Sequence, residues 1–508
     1  MPLILEVCFF LVPGIAVMSS PASSWVAPVL VVGCIVGGLI MSYVAMKKQG
    51  PEVAQARFEA LARSLIGGRK GYVSDFRGGM VLLTCLAILA VDFPCFDRKH
   101  AKTETFGVSL MDTGVGLYVF SSGMTSAAAR APVSLHERND CDTHDGSQKH
   151  GRSPRLPPGA LQAAIIGALR MVVLKVANYQ EHASEYGVHW NFFLTLASIW
   201  ILAGAARWVM AALTSQFLRH SRVLSQQQAT TRAAVAKSSQ SGGIAWVATL
   251  LVSLLAYQAA LLAHGGALTS WVMESPRFAD GDSSVLAFVR ANREGLLQLA
   301  PLTVLYLVAR EVGLRFVWLP QASRLKPRQV KGWAVASVVT LAAAACGAWV
   351  LCGITWIALQ APSRRLANAS YVLLVVAIGK TLLALVLAVH ISAAATPRSA
   401  TLTALGDHQL AAFVAANLLT GAVNLSSLDT IHASSTTARA VLTVYSLLVA
   451  GAARMAAVRL PTSKSQLTND FEETREERYR RAGNFEAKGK PRREQTREGK
   501  IHKLRYRG

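Results

Sequence analysis

Charge is scarce in this chain. Only 16% of its 508 residues are Asp, Glu, Lys or Arg while 52% are hydrophobic, which excludes an ordinary soluble protein of several domains. Acidic residues are the scarcest charged class, 29 against 52 Lys and Arg, and leave a formal charge of +23. Such an excess could suit nucleic acid. The basic residues instead fall in connectors between apolar runs and in the tail, so they set membrane topology and meet anionic headgroups, and no nucleic-acid partner is expected. Cysteines number seven, five of them inside apolar runs, with Cys95 and Cys141 in connectors. Neither a disulfide framework nor a metal spacing follows, and no metal is expected. The polar connectors carry no P-loop, G-x-S-x-G elbow or dinucleotide fingerprint, which removes the chemistries those motifs serve. There is no internal repeat of the kind a solenoid shows. The first residues, MPLILEVCFFLVPGIAVM, lack a basic run ahead of the apolar one, so they read as a retained membrane segment rather than a cleaved signal.

What the chain has in abundance is apolar runs of spanning length. About twelve are long enough to cross hydrocarbon, with room for a thirteenth. They lie near 3–19, 25–46, 76–91, 107–126, 159–178, 190–212, 243–263, 295–318, 333–356, 370–393, 409–425 and 438–458, and predict an all-α polytopic membrane protein. Connectors after even-numbered segments hold Lys47, Lys48, Arg69, Lys70, Arg152, Arg155, Arg219, Arg222, Arg324, Lys326 and Arg328, so they and both termini are placed in the cytosol. The stretches 92–106, 179–189, 264–294, 361–369 and 426–437 then face the other side. Residues 1–459 form one multi-pass domain, its 130–158 loop a disordered cytosolic connector; 460–508 are a basic cytosolic tail, mostly disordered.

The polar, motif-like sequence collects on the non-cytosolic side. Asp92 ends the apolar run Ala87–Val91 and Pro94 stops the helix, so desolvation should raise that carboxyl toward the range of a general base. Lys102, ten residues on, either returns over the same cavity to hold developing negative charge or snorkels to headgroups while Asp92 merely ends the helix. Spacing alone favours the latter. In 179–193, YQEHASEYGVHWNFF, one helix could present Glu181, His182, Glu185 and His189 beside Asn191, as a polar substrate surface or as an interfacial helix with an aromatic belt. Arg293 and Glu294, Arg364, Arg365 and Asn368 in SRRLANASY, and Asn417 with Asn424 form a third group, in which the arginines could hold an anionic headgroup phosphate or touch lipid. Arg170, Lys175 and Lys380 lie within spans, where charge is expensive unless paired, and Asp112 is the most plausible kind of partner. These charges support the alternative of a lipid or solute transporter. The sequons at Asn368 and Asn424 abut predicted membrane ends, with little room for a glycan.

These residues also resemble a family. RGGM from Arg77, Thr84, AILAVDFP, AKTE, FG, SLMDxGVG, YQEH, EYGVHWNFF, NREG, SRRLAN and LLTGAVNL are similar to the glucosaminyl-phosphatidylinositol inositol acyltransferases of GPI-anchor synthesis, which include phosphatidylinositol-glycan class W proteins and fungal counterparts. The match runs from about Arg77 to Asn424. It implies an endoplasmic-reticulum membrane enzyme that moves a long acyl chain, usually palmitoyl, from acyl-CoA to an inositol hydroxyl of glucosaminyl-phosphatidylinositol, with acyl-CoA as cosubstrate and no cofactor. Carried over by motif, Asp92 and Lys102 take the catalytic places, which reverses the spacing-only reading. Arg77, Glu104, Asp112, Glu181, His182, Glu185, His189, Asn191, Arg293, Arg365, Asn368 and Asn424 fall in motifs expected to bind substrate. The chain departs from the pattern after Phe96, where Asp97 replaces a proline and His100 an apolar residue.

Overall fold

The computed structural model describes residue 65 and residues 70–130, 158–176, 185–224, 232–278, 283–318, 327–392, 399–426 and 429–459. Expected segments 3–19 and 25–46, the interior of the 130–158 loop, the tail, Glu181 and His182 lie outside them. Among the described residues every regular element is a helix. The principal ones are α1 (Gly71–Ala90), α2 (Leu110–Met124), α3 (Pro158–Val176), α4 (Phe192–Leu224), α5 (Arg232–Met273), α6 (Arg293–Val312), α7 (Pro327–Ala358), α8 (Ala369–Ser392), α9 (Ala400–Asp407), α10 (Gln409–Leu425) and α11 (Ser435–Arg459).

All ten expected segments within the described residues are helical. Seven helices have the length and composition to cross a bilayer. α2, α10 and the apolar part of α3 (Gly159–Val173) are shorter, so the described residues alone do not reach the expected dozen. The stretch 264–294 also differs from a plain connector. α5 breaks at Ala263–Gly266, where His264, Gly265 and Gly266 have positive φ, resumes to Met273, and is followed by a short helix Ser284–Ala291. The apolar stripe of LTSWVM explains the resumption, because Leu268 and Trp271 pack on buried Leu261, Val272 and Leu366.

Local chemistry fixes several helix ends. Ser109 and Asp112 form a reciprocal capping box at the start of α2. Asn191 caps α4, its Oδ1 accepting from the Phe193 and Leu194 amides. After α6 the chain runs through one π-helical turn, Gly313–Val317.

α1 is the central post. It lies parallel to α10, and two polar bonds tie the pair in a single register. The Arg77 guanidinium donates to Gln409 Oε1 at 2.8 and 3.2 Å, and fifteen residues further along each helix Asn424 Nδ2 donates to Asp92 Oδ2 at 3.2 Å. Between these ends the Tyr445 hydroxyl of α11 donates to the Cys85 carbonyl of α1 at 2.9 Å, and Thr420 of α10 meets the same hydroxyl at 3.4 Å. α9 lies across the first turns of α1 at a pair of glycines. A Cβ on Gly78 would fall 2.1 Å from the Leu402 carbonyl oxygen, and one on Gly406 would fall 2.1 Å from that of Ser74. Backbones that close require small residues at the contact.

Candidate functional site

The connector between α1 and α2 is anchored before it can present anything. One turn past α1 the chain tightens at Phe93 and Phe96, both buried, and a single 3-10 turn at Arg98–His100 follows. The Thr103 amide and hydroxyl then bond to Asp112, and Gly107 N donates to the Pro362 carbonyl at 2.8 Å. Asp92 and Lys102 are the two ends of this anchored loop.

Asp92 is half-buried and held by the Asn424 amide. Burial at the end of an apolar helix lifts its carboxyl above the ordinary range, against the downward pull of the Asn424 bond and the Arg98 and Lys102 charges. The Lys102 charge therefore reaches Asp92, although its ammonium forms its ion pair with Glu185. That pair ties the connector to the stretch leading into α4. Asn424, Asp92, Lys102 and Glu185 thus form a chain of polar groups drawn from three distant stretches of sequence.

The other expected site residues divide by location. Arg77 sits about 22 Å along α1 from Asp92, a distance of fifteen residues at 1.5 Å each, and belongs to the far clamp with Gln409. His189 is exposed, its backbone amide held by Asn292 Oδ1 at 2.7 Å. Asn191 is buried and spends its amide on the α4 cap and the Gly167 carbonyl at 2.9 Å. Glu185 is engaged by Lys102, and no group of three possible metal ligands occurs among the described residues, which do not include Glu181 and His182.

A second, buried assembly lies behind the connector. Asp112, 1% exposed, accepts from Arg364 Nε at 3.0 Å, so its ionic partner is an arginine of the α7–α8 loop rather than Arg170, Lys175 or Lys380. Glu294 is fully buried and takes a two-pronged Arg277 pair at 2.7 and 3.0 Å and Arg365 Nη2 at 3.0 Å, with Arg293 Nε at 3.8 Å. Arg293 further donates to the Val272, Ser275 and Pro276 carbonyls, and Arg365 to that of Glu104. The Glu104 side chain stays exposed. Asn368 is buried, its Nδ2 on the Ala361 carbonyl at 2.7 Å and its Oδ1 accepting from Ser363 and Tyr371, so no glycan has space there. The SRRLAN loop is thus the hub that pins the connector, the end of α5 and the start of α6 together. Sequence reasoning missed Arg277, Gln409 and Gln298, whose Nε2 donates to the Arg365 carbonyl at 3.0 Å, as members of these clamps. Each lies in plain polar or apolar context with no spacing that names its partner.

A family model described as GWT1 matches residues 1–456. The chain is 32% identical over 404 residues to the GPI-anchored wall transfer protein 1 of Aspergillus oryzae, covering 75% of this chain and 71% of that protein. It is 32% identical over 400 residues to the protein of the same name from Emericella nidulans, with the same coverage. It is 26% identical over 476 residues to the phosphatidylinositol-glycan biosynthesis class W protein of Dictyostelium discoideum, covering 87% of this chain and 84% of that one.

Proposed function

The chain belongs to the GWT1 family, and from that premise we propose that it is the inositol acyltransferase of GPI-anchor assembly. It moves a long acyl chain, palmitoyl in the first instance, from acyl-CoA to an inositol hydroxyl of glucosaminyl-phosphatidylinositol in the endoplasmic-reticulum membrane. The relatives' printed names, wall transfer of GPI-anchored proteins and phosphatidylinositol-glycan biosynthesis, support the pathway. The single observation that carries the chemistry is Asp92: a carboxylate at the end of an apolar helix, raised in pKa by burial, oriented by an amide and within the field of Lys102.

In this reading Asp92 takes the proton from the inositol hydroxyl as its oxygen attacks the thioester carbonyl. A carboxyl whose pKa is raised by burial is a stronger base than an ordinary one. Lys102, steered by Glu185, balances the negative charge that gathers on the tetrahedral oxygen. Collapse breaks the carbon–sulfur bond, and the departing CoA thiolate recovers the proton from Asp92. Transfer is direct. Cys95 lies nearby, but burial pushes its thiol up and leaves little thiolate to carry an acyl group. The Asp112–Arg364 and Glu294–Arg365 pairs hold the connector and substrate surface in place, and positioning two lipids supplies most of the acceleration.

The test uses the purified full chain, labelled palmitoyl-CoA and glucosaminyl-phosphatidylinositol. Acylated inositol should form with wild type and fall by about 10²- to 10⁴-fold with Asp92→Asn, the range a positioned general base contributes. Near-normal product from a well-folded Asp92→Asn protein overturns the assignment.

A further inference from the structure

The stretch that carries Glu185 is laid along the start of α6 by a row of bonds. His189 N donates to Asn292 Oδ1 at 2.7 Å, Val188 N to the Ala291 carbonyl at 3.1 Å, and Gly295 N to the Tyr186 carbonyl at 3.0 Å. The approach is so close that a Cβ on Gly295 would fall 2.5 Å from the Tyr186 carbonyl oxygen. As the stretch is followed back from His189 to Glu185, its partners advance along α6, and the last of them is a side chain. Gln298 Nε2 donates to the Glu185 carbonyl at 3.4 Å.

The same amide holds a second carbonyl. Gln298 Nε2 donates to Arg365 O at 3.0 Å, and a primary amide has the two N–H groups that both bonds need. Gln298 follows Glu294 by one helical turn, on the same face of α6. Glu294 takes the Arg365 guanidinium at 3.0 Å, so α6 grips Arg365 at its head and at its backbone. Arg365 Nη1 in turn donates at 3.0 Å to the carbonyl of Glu104, which follows Lys102 closely in the connector. The contacts close into a ring: Lys102 to Glu185 by their ion pair, Glu185 to Gln298, Gln298 to Arg365, and Arg365 to the connector that carries Lys102. The Lys102 and Glu185 side chains are 38% and 20% exposed, and an ion pair so open to solvent holds little by itself. Its geometry is set by where the two backbones are placed. Gln298, 2% exposed, is bonded directly to Glu185 and, through Arg365, to the connector.

We propose that Gln298 is a positioning residue for acyl transfer: its amide keeps Glu185 opposite Lys102, so that the ammonium stands where negative charge gathers on the tetrahedral oxygen. The inference rests on the acyl-transfer reading, and Gln298 acts through the Lys102–Glu185 pair. Charge on that oxygen develops only on the way to the tetrahedral species. Loss of the positioning therefore lowers kcat and leaves both KM values in place. A methionine, unbranched and of similar length, fills the space of Gln298 and suits a spanning helix but donates to neither carbonyl.

The experiment follows acyl transfer by the purified full chain in detergent, with labelled palmitoyl-CoA and glucosaminyl-phosphatidylinositol, each rate normalised to folded protein. Gln298→Met should lower kcat by about 10- to 100-fold, up to the loss that a misplacement of about 1 Å can cause, with both KM values nearly unchanged. In a Glu185→Ala background the pair is already gone, and the same substitution should change kcat by less than about twofold. A residue that merely stabilises the fold would give the same factor in both backgrounds. Where Gln298→Met folds poorly, Gln298→Leu removes the same donors. A kcat that holds in the folded Gln298 variants, or a loss as large with Glu185→Ala as without it, overturns the proposal while leaving acyl transfer intact. A wild-type protein that makes no acylated inositol overturns the acyl-transfer reading itself, and the positioning role with it.

Discussion

At Asp92 two opposing effects meet on one carboxyl. Partial burial raises its pKa, while the Asn424 amide and the Arg98 and Lys102 charges lower it, and burial wins. The sign for activity follows directly. On the proposed role of Asp92 as the base it must be ionised, so acyl transfer should be present above the Asp92 pKa and be lost as pH falls through it, in a range above that of an ordinary carboxylate. Asn424→Ala removes the largest opposing influence and should move the acid limb of the pH–rate profile to higher pH, with the alkaline limb unchanged. An acid limb that stays in place or moves down would show that the Asn424 bond does not tune the base. The same residue illustrates the reach of local reading: the greasy run before Asp92 and the proline after it announce a desolvated helix end, whereas nothing near it in sequence announces Asn424, which is 332 residues away.

Among the elements, α1 and α10 act as one unit. Their clamps share one sequence offset, so a slip of either helix by even one residue would break both the Arg77–Gln409 and Asp92–Asn424 bonds at once. α9 locks this pair from outside through backbone contact at Gly78 and Gly406, reinforced by Ser74 Oγ on Asp407 at 3.2 Å and by Arg454 of α11 on Thr401 at 3.0 Å. Gly406→Val places a branched side chain where the Ser74 carbonyl already sits. It should undock α9 and lower the thermal midpoint of the detergent-solubilised protein by several degrees, with increased proteolysis near 399–408, whereas the same change at Gly421 should leave the midpoint nearly unmoved. The segments around α10 were legible as apolar length; α9 was not, because eight residues of modest hydropathy carry no spanning signal and make sense only against α1.

Over the whole molecule, the hub is an ionic one. Glu294 carries Arg277 and Arg365 in full burial, and Asp112 carries Arg364, so five charged groups from four stretches are settled by each other and by backbone carbonyls. Such pairs add little over a well-packed apolar replacement, but removing one partner strands the rest. Glu294→Gln leaves two guanidinium groups without their shared carboxylate and should destabilise the fold by about 3–5 kcal/mol, read as a lower thermal midpoint and reduced yield of monodisperse protein. An unchanged midpoint would mean that solvent reaches the cluster.

Composition and apolar length by themselves determined that this is a helical membrane protein, and where the helices fall, because a helix in hydrocarbon must satisfy its backbone within a single contiguous run. The motif around Asp92 and Lys102 was likewise readable from the chain. Partnership was decided only by the tertiary structure. That Arg364 and Arg365 turn inward onto Asp112 and Glu294, that Asn191 caps a helix, that Lys102 leans on Glu185 and that Arg77 stands a helix length from Asp92 all depend on contacts between residues tens to hundreds of positions apart. A charged residue in a polar connector looks the same in sequence whether it faces a substrate or a buried counter-ion, because the energy that separates the two is set by what the rest of the fold places opposite it.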